Sequence, residues 1–271
     1  MSNLYNSIGM GYAAHRRADP RITGQLIDLL NVPPGACVAD IGAGTGTYSR
    51  ALADRGFFVR AIEPSSVMKR QAKEHERVVW VAGVVEAIPL PDASMDAVVC
   101  ILASHHFASI PTAIAEMHRI CPQGPIAWFT FDPRLAQSPW FADYFPEIWS
   151  NAFPLFPPLD ELARLFGDIT GRKVYSHVFN LPPDLEDRFL AAYWQEPSAY
   201  LREDARQSMS AFAVADPESL RRRLERLSSD LSGGKWHERY GHIAAAVTVD
   251  WGYRFVVARY EEPDKELNTD G

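Results

Sequence analysis

The chain has 271 residues, of which 47% are hydrophobic, and this is enough apolar material for one large domain or for one domain that carries a substantial insertion. Its formal net charge is −7, and acidic and basic residues are mixed along most of the chain. Proteins that bind a phosphate backbone usually carry a basic stripe, so a nucleic acid is a poor candidate for the substrate. The cysteines Cys37, Cys100 and Cys121 form no CxxC pair, so the sequence indicates neither a disulfide framework nor a zinc site.

The N-terminal residues 1–12 lack the basic flank and apolar core of a signal peptide. No apolar run in the sequence approaches the roughly 20 residues of a membrane span. We therefore expect a cytoplasmic protein that has no membrane partner. The sequence leaves open whether it is a monomer or a homodimer.

Residues 20–131 alternate short apolar runs with helix-like segments. The apolar runs are rich in Val, Ile and aromatic residues, which suits strands buried on both faces of a sheet, and they lie at 36–40, 57–62, 78–82, 97–102 and 126–131. Helical patterns lie between them at 48–55, 65–75 and 111–120. This alternation predicts right-handed βαβ units and a doubly wound parallel sheet.

Residues 132–158 are dense in aromatic residues and prolines, with Trp140 and Tyr144 among them. Two interpretations stay open: an irregular segment that packs over the sheet, or the wall of an apolar pocket. The two are compatible, because one segment can do both.

The sequence predicts two further strands at 173–180 and 253–260, with helical patterns between them at 184–194, 204–212 and 217–231. The last helix is the best marked, because Asp216 can cap it, Pro217 suits its first turn and Gly233-Gly234 can end it. Residues 261–271 are polar, and we expect them to form a frayed tail.

The strongest chemical signal is the run Asp40-Ile41-Gly42-Ala43-Gly44-Thr45-Gly46, which ends a predicted strand and opens a helix. Glycines at such a turn let the backbone bend tightly and approach a ligand closely. A dinucleotide-binding GxGxxG pattern would need a glycine at position 47, where this chain has Thr47, and the P-loop lysine is also missing. The next strand ends in Glu63, about 20 residues beyond Gly42, where a carboxylate can accept both hydroxyls of an adenosine ribose.

These motifs resemble those of the class I S-adenosylmethionine (SAM)-dependent methyltransferases of the small-molecule type 11 (UbiE-like) group, and the resemblance covers most of residues 1–150. Besides the glycine run, the matching segments are Ala61-Ile62-Glu63-Pro64-Ser65 with Met68, Gly83-Val84-Val85-Glu86-Ala87-Ile88-Pro89-Leu90-Pro91-Asp92, Ser94-Met95-Asp96-Ala97-Val98, His105-His106-Phe107 and Ala115-Glu116-Met117-His118-Arg119-Ile120. The resemblance implies a seven-stranded, mostly parallel sheet in which 173–180 and 253–260 form an antiparallel hairpin. Residues 181–249 would then be a helical insertion on the substrate side.

The resemblance also implies which residues bind SAM and its product S-adenosylhomocysteine. Gly42 and Gly44 would lie against the amino-acid end of SAM, and Glu63 would hold the ribose. Tyr12 and Arg16, on an N-terminal lid, would lie near the methionine carboxylate, where a guanidinium fits well. The other predicted cofactor residues are Asp40, Gly46, Pro64, Met68, Val85, Glu86, Leu102 and Ala103, of which the last two would lie near the sulfonium.

One position departs from the family pattern. Many relatives carry an acidic residue after the glycine of the third motif, where it bonds the adenine amino group, whereas this chain has Val84. Adenine recognition would then rest on backbone groups and apolar contacts, or on Glu86, which with Val85 would border the adenine.

His105 and His106 directly follow the fourth predicted strand, at the edge where open α/β sheets bind ligands. We interpret His105 as a general base, because imidazole titrates near neutrality and methyl acceptors often must lose a proton. A structural role for the pair is the alternative. His106, Trp140 and Tyr144 are the predicted substrate contacts. No carboxylate or cysteine lies at ligand spacing from the histidines, so no metal site is predicted.

The predicted function is transfer of a methyl group from SAM to an oxygen, nitrogen or carbon nucleophile of a small molecule, with a carboxylate-bearing acceptor such as a 2-oxo acid as one candidate. The predicted organisation is a lid (1–19), a SAM-binding core (20–180), the insertion (181–249), a final core strand (250–260) and the tail (261–271). The alternatives are an NAD(P)-binding Rossmann oxidoreductase and a protein that binds SAM without catalysis.

Overall fold

The computed structural model describes residues 16–137 and 139–260. The strands lie at Cys37–Ile41 (β1), Phe58–Ile62 (β2), Val78–Val81 (β3), Ala97–Ile101 (β4), Ile126–Phe131 (β5), Lys173–Val178 (β6) and Tyr253–Arg259 (β7). They form one seven-stranded sheet in the order β3-β2-β1-β4-β5-β7-β6. Strands β1 to β5 pair in parallel, and β7 runs antiparallel to both of its neighbours. The predicted doubly wound α/β fold with an antiparallel hairpin at one edge is confirmed.

The α-helices lie at Pro20–Leu30 (α1), Thr47–Asp54 (α2), Ser66–Arg70 (α3), Ile110–Ile120 (α4), Trp140–Tyr144 (α5), Pro146–Ser150 (α6), Leu159–Thr170 (α7), Glu203–Gln207 (α8), Ser210–Ala213 (α9), Pro217–Ser232 (α10) and Lys235–Ala244 (α11). Short 3-10 helices lie at Val85–Ala87, Ser104–His106, Pro133–Leu135 and Pro197–Leu201. Within the described ranges, no helix is both long enough and apolar enough to cross a membrane.

Strands β4 and β5 show why the continuous apolar runs of the sequence form strands. Every residue of β5 is buried, and β4 is buried except at its last residue. Successive side chains of a strand point to opposite faces. Accordingly, Trp128 packs on one face of the sheet and Phe129 on the other. A strand covered on both faces needs apolar residues at every position, which is the pattern that the sequence shows.

Local capping signals set the start of several helices. The Asp19 carboxylate accepts a hydrogen bond from the Arg21 amide at 2.9 Å before α1. The Asp216 carboxylate likewise accepts from the Ser219 amide at 2.8 Å before α10, and this helix ends at Gly233. The predicted helix 217–231, with its cap and its terminator, is therefore confirmed.

The helix predicted at 184–194 is wrong, because these residues form successive turns, as in the 3.0 Å hydrogen bond from the Ala192 amide to the Phe189 carbonyl. Contacts distant in sequence hold this stretch: Asp184 and Asp187 pair with arginines near the N-terminus, and the Glu186 amide donates to Asp19. The helix predicted at 204–212 is split into α8 and α9, and the one at 65–75 is shortened to α3. The sequence pattern did not predict α1, α5, α6, α7 or α11.

The insertion shares a hydrophobic core with the rest of the chain. Trp140 on α5, Trp194 in the turns and Trp236 on α11 are fully buried in one cluster, which covers one face of the sheet. The Trp140 indole nitrogen donates to the Trp194 carbonyl at 2.7 Å, and the Trp140 and Trp236 rings meet edge to face with centroids 5.6 Å apart. Helices α4 and α7 cover the other face. Aromatic packing therefore ties the insertion to the sheet.

Replacing Trp140 by Ala should lower the free energy of unfolding by about 3–5 kcal/mol, because it empties a large buried site. Trp140→Phe should cost less, about 1–3 kcal/mol, mainly because the Trp194 carbonyl loses its donor. Denaturant titration measures both changes. Val247→Ala is the control, since Val247 is 83% exposed and should leave stability unchanged. A Trp140→Ala protein as stable as wild type would show that this cluster does not hold the insertion in place.

Candidate active site

The site begins where β1 ends in a sharp turn. Gly42, Gly44 and Gly46 all have positive φ angles, of 69°, 59° and 70°, which glycine adopts without strain. The Gly42 amide donates to the Ile62 carbonyl at 2.9 Å, so the turn is held against the end of β2. A β-carbon on Gly42 would lie 2.5 Å from that of Ala103, so the backbones after β1 and β4 come closer than side chains would allow.

Glu63, the first residue after β2, faces this turn. One carboxylate oxygen accepts from the Gly44 amide at 2.9 Å, and the other accepts from the Ser65 amide at 2.8 Å. Burial raises the pKa of Glu63, while the two amides oppose that shift. A carboxylate offers about four acceptor positions, so two remain for the hydroxyls of a ligand.

Four parallel strand ends enclose a cavity of about 270 Å³, which we call the strand-end cavity. Its walls come from the segments that follow β1, β2, β3 and β4. Ten of the predicted cofactor residues line it: Arg16, Gly42, Gly44, Glu63, Pro64, Met68, Val85, Glu86, Leu102 and Ala103. This is the position at which open α/β sheets bind ligands.

Asp40 and Gly46 lie behind the glycine turn and do not line this cavity. Asp40 is buried and accepts a hydrogen bond from the Ser49 hydroxyl at 2.5 Å, and burial, with a contribution from the charge of Glu63, raises its pKa to about 6. Gly46 starts α2, where a β-carbon would meet the Trp80 ring at 2.6 Å. Both residues shape the turn from its far side. Tyr12, the remaining predicted cofactor contact, lies outside the described residues.

Glu86 and Val84 lie on the wall formed after β3. A Glu86 carboxylate oxygen accepts from the Ala108 amide at 2.6 Å and from the Ser109 amide at 3.3 Å, so it ties the Val85–Ala87 turn to the start of α4. Val84 is half exposed. One Glu86 oxygen is thus committed to the protein, and the wall offers an adenine mainly apolar surface and backbone groups.

A second cavity, of about 280 Å³, adjoins the first, and we call it the apolar cavity. Arg16, Leu102 and His106 line both. Its other walls are mainly aromatic and aliphatic, from Phe131, Ile148, Leu155, Phe156, Phe189, Leu190, Met209, Val214 and Tyr253, with uncharged polar side chains at Asn151, Ser208 and Ser210. The aromatic segment 132–158 therefore packs over the sheet and also lines a cavity, through Ile148, Leu155 and Phe156.

Trp140 and Tyr144, which were predicted to contact the substrate, line neither of these cavities. Trp140 lies in the shared core, and the Tyr144 hydroxyl donates to the Asp230 carboxylate at 3.0 Å. The sequence marked the correct segment but not the side of it that faces the cavity, because the helix phase within a short aromatic run is set by packing.

The histidines follow β4 on the 3-10 helix Ser104–His106, with ring centroids 3.7 Å apart. His105 lines the apolar cavity, and burial lowers its pKa well below the ordinary 6.5. Burial lowers the pKa of His106 to about 4. The His105 Nδ1 atom is buried and has no hydrogen-bond partner in the described part of the chain. No protein acceptor or donor in the described part of the chain therefore fixes the tautomer of His105 through Nδ1.

Sequence reasoning missed the buried carboxylate of Asp187. It pairs with the Arg16 guanidinium, which contacts it through Nε and through Nη2, the latter at 3.2 Å, and it accepts from the Tyr48 hydroxyl at 3.0 Å. The neighbouring Glu186 amide donates to Asp19 at 2.8 Å. These bonds hold the insertion against α2 and against the segment before α1. No local signal could have found them, because Arg16 and Asp187 are 171 positions apart.

Comparison with known proteins gives the site a context. The family described as "Methyltransferase domain" matches residues 39–129. A solved structure from Anabaena variabilis, assigned as a methyltransferase of an antibiotic biosynthesis pathway, is 46% identical, with a TM-score of 0.88 over 90% of this chain and 98% of the other. The phosphoethanolamine N-methyltransferase 2 of Haemonchus contortus, solved with SAM, shares the fold at 16% identity and a TM-score of 0.56, over 96% of this chain and 57% of the other.

Curated relatives match over shorter stretches. The malonyl-[acyl-carrier protein] O-methyltransferase of Serratia marcescens is 32% identical over 111 residues, which are 39% of this chain and 42% of that protein. An uncharacterized methyltransferase of Mycobacterium bovis is 33% identical over 133 residues, 48% of this chain and 54% of that protein. The chain thus spans about half of the length of these relatives or less.

Asp40 makes the stability of this site depend on pH. Its pKa rises from 3.8 to about 6 on folding, so the carboxyl is protonated in the folded protein at a pH where it is ionised in the unfolded chain. Stability contributed by this group is present below pH 3.8 and is lost as the pH rises through about 6. Asp40→Asn should therefore gain stability relative to wild type between these limits, by up to about 3 kcal/mol.

Denaturant titrations of both proteins at several pH values measure this difference. The exposed Asp160 provides a matched control, and Asp160→Asn should show no such trend. A constant difference between Asp40→Asn and wild type across the range would mean that Asp40 stays ionised in the folded protein.

Proposed function

This chain belongs to the class I SAM-dependent methyltransferases of the type 11 group, and from that premise we propose that it methylates a small molecule held in the apolar cavity. The family membership and the use of SAM rest on the family match and on the 46% identical structure. The observation that carries the proposal is the junction of the two cavities, which share Arg16, Leu102 and His106. A cofactor in one cavity and an acceptor in the other would meet there.

The residues of the strand-end cavity fit SAM. Glu63 is held by two backbone amides and keeps acceptor positions for the ribose hydroxyls. Gly44 presents bare backbone to the cavity, and its φ angle of 59° lies in the left-handed region that favours glycine. Val85 and Met68 offer apolar surface for the adenosine. The contact of Arg16 with the methionine carboxylate stays a prediction: Arg16 lines the cavity, but two of its nitrogens already contact Asp187.

When bound, SAM supplies an electrophilic methyl group, and the electrons of the broken C–S bond stay on sulfur as the acceptor's lone pair forms the new bond to carbon. The chain's own task is to align the acceptor and to exclude water. Leu102 separates the two cavities, and the aromatic walls keep the acceptor side dry. His105 would take the acceptor's proton at its unprotonated ring nitrogen, because it lines the apolar cavity and burial keeps the imidazole neutral.

The comparisons suggest the kind of acceptor without naming it. The Anabaena protein is assigned to an antibiotic biosynthesis pathway, and the match with it covers the insertion as well as the core. We propose by analogy that the acceptor here is also a biosynthetic small molecule. The Serratia protein acts on a malonyl group on a carrier protein, but its match is confined to 39% of this chain. Methylation at oxygen, nitrogen or carbon is resolved by a turnover screen with labelled SAM against phenols, amines and metabolite acids.

Glu63→Ala should weaken SAM binding by about 1.5–3 kcal/mol, the usual cost of losing a charge-assisted hydrogen bond. Isothermal titration calorimetry measures the change. Glu86→Ala is the matched control, because it also removes a carboxylate from the cavity wall, but one whose proposed place is beside the adenine and not at the ribose hydroxyls. The Glu86 variant should lose less affinity. Unchanged affinity in a folded Glu63→Ala protein would remove Glu63 from the cofactor site.

His105→Ala should reduce kcat by roughly 10²–10⁴-fold, the usual contribution of a general base, and leave SAM affinity nearly unchanged. Because burial lowers the pKa of His105, the imidazole stays neutral as the pH falls through 6.5, so wild-type kcat should remain level there. His105→Gln separates the roles, since Gln can hold a hydrogen bond but cannot accept the proton. Activity restored by Gln would show that the residue orients the acceptor. If only His106→Ala lowers kcat, the neighbouring histidine is the base.

A further inference from the structure

The apolar cavity is almost without charge. Among the described residues that line it, none is Asp, Glu or Lys, and Arg16 is the one cation. Burial lowers the pKa of both His105 and His106, so these imidazoles are neutral at physiological pH. Arg16 is therefore the one charged side chain that the described wall presents to a ligand.

The positive charge of Arg16 is balanced by the Asp187 carboxylate, which does not line the cavity. The Asp187 side chain is 1% exposed, does not line the cavity, and pairs with two nitrogens of the Arg16 guanidinium. Tyr48 donates to the same carboxylate and so fixes its position. An ion pair of this kind presents a dipole to the cavity rather than a net charge. A charged ligand group would have to leave water without a counter-ion, which is strongly unfavourable.

The exposed residues that line the cavity are uncharged, namely Asn151, Leu155 and Val214. Leu155 and Val214 line it and are among the most exposed large hydrophobic residues of the described chain, with 39% and 57% of their surface accessible. Exposed aliphatic side chains at a cavity mouth favour entry of an apolar molecule. Inside, Phe131, Phe156 and Tyr253 offer flat surfaces for a ring.

We propose that the apolar cavity selects an uncharged, ring-containing acceptor that carries a hydroxyl group, and that Asp187 sets this selectivity by neutralising Arg16. The inference rests on the proposed function and narrows it to one substrate class, a neutral phenol or enol. It argues against the carboxylate-bearing 2-oxo acids that the sequence suggested. The hydroxyl would lie at the histidine end, where its proton passes to the unprotonated ring nitrogen of His105 as its oxygen takes the methyl group. The rings would fill the aromatic end.

Three matched probes test the proposal: methyl 6-hydroxy-2-naphthoate, 6-hydroxy-2-naphthoate and 6-aminomethyl-2-naphthol, which share a ring system and a hydroxyl but are neutral, anionic and cationic. Calorimetry gives the affinity of each for the full chain saturated with S-adenosylhomocysteine. The wild-type protein should bind the neutral ester at least about tenfold more tightly than either ion. An ion bound as tightly as the ester would overturn the proposal.

Variants of the ion pair should shift this preference in opposite directions. Asp187→Asn removes the negative charge behind Arg16, so the anionic probe should gain about tenfold or more while the ester stays within a few-fold. Arg16→Gln leaves the Asp187 carboxylate, so the cationic probe should gain instead. The double variant Arg16→Gln/Asp187→Asn is neutral again and should prefer the ester. If Asp187→Asn does not fold, the probe affinities of Arg16→Gln and of the double variant still test whether the ion pair sets the selectivity.

Asp184→Asn is the matched control, because this nearby carboxylate is exposed and pairs with Arg21 at 2.6 Å, away from the cavity. It should keep the wild-type order. If the order of the three affinities is unchanged in both Asp187→Asn and Arg16→Gln, the role of Asp187 is overturned.

Turnover separates this inference from the proposed function. A protein that methylates the anionic probe best is still a small-molecule methyltransferase, but one without the proposed selectivity. A protein that prefers the ester yet binds no SAM would contradict the function and leave the selectivity standing.

Discussion

The active site depends on the close approach of two backbone segments, one after β1 and one after β4. Gly42 lies so near Ala103 that any β-carbon would overlap with the alanine methyl group. This approach brings the glycine turn, which faces the strand-end cavity, next to the segment that carries Leu102 and the histidines. Glu63 reinforces the arrangement, because it accepts a hydrogen bond from the same turn. The cofactor and acceptor sides of the site are therefore positioned by backbone packing rather than by long side chains.

A second set of interactions joins the insertion to the N-terminal half of the chain. Asp19 and Asp187 are buried carboxylates with arginine partners, and each bonds across the boundary between the N-terminal half of the chain and the insertion. Removing one partner from such a pair leaves a buried charge without compensation and is strongly destabilising. The aromatic cluster around Trp140 and Trp236 joins the same parts of the chain. The insertion consequently lines the apolar cavity, through Phe189, Leu190, Met209 and Val214, and stabilises the fold at the same time.

Features encoded locally could be predicted from the sequence, and features that depend on distant contacts could not. The buried runs of β4 and β5 and the glycine turn carry their signals within a few residues, and the predicted cofactor residues along the strand ends converge on one cavity. The stretch 184–194 has a helical pattern, yet ion pairs to Arg16 and Arg21 hold it in turns. In the same way, Trp140 was predicted to contact the substrate because it lies in an aromatic segment, but the packing of α5 directs its side chain into the core. Residue types in the sequence indicated which chemical groups are available, whereas tertiary contacts decide which of these side chains line a cavity.

Leu102 stands between the two cavities with a φ angle of 50°, in the left-handed region that non-glycine residues rarely adopt. Its amide donates to the Phe129 carbonyl at 2.9 Å, so the strained backbone is anchored to the neighbouring strand. In the proposed function, a wall residue fixed in this way sets the separation of methyl donor and acceptor when the chain folds, so this part of the ordering is not repeated in every catalytic cycle.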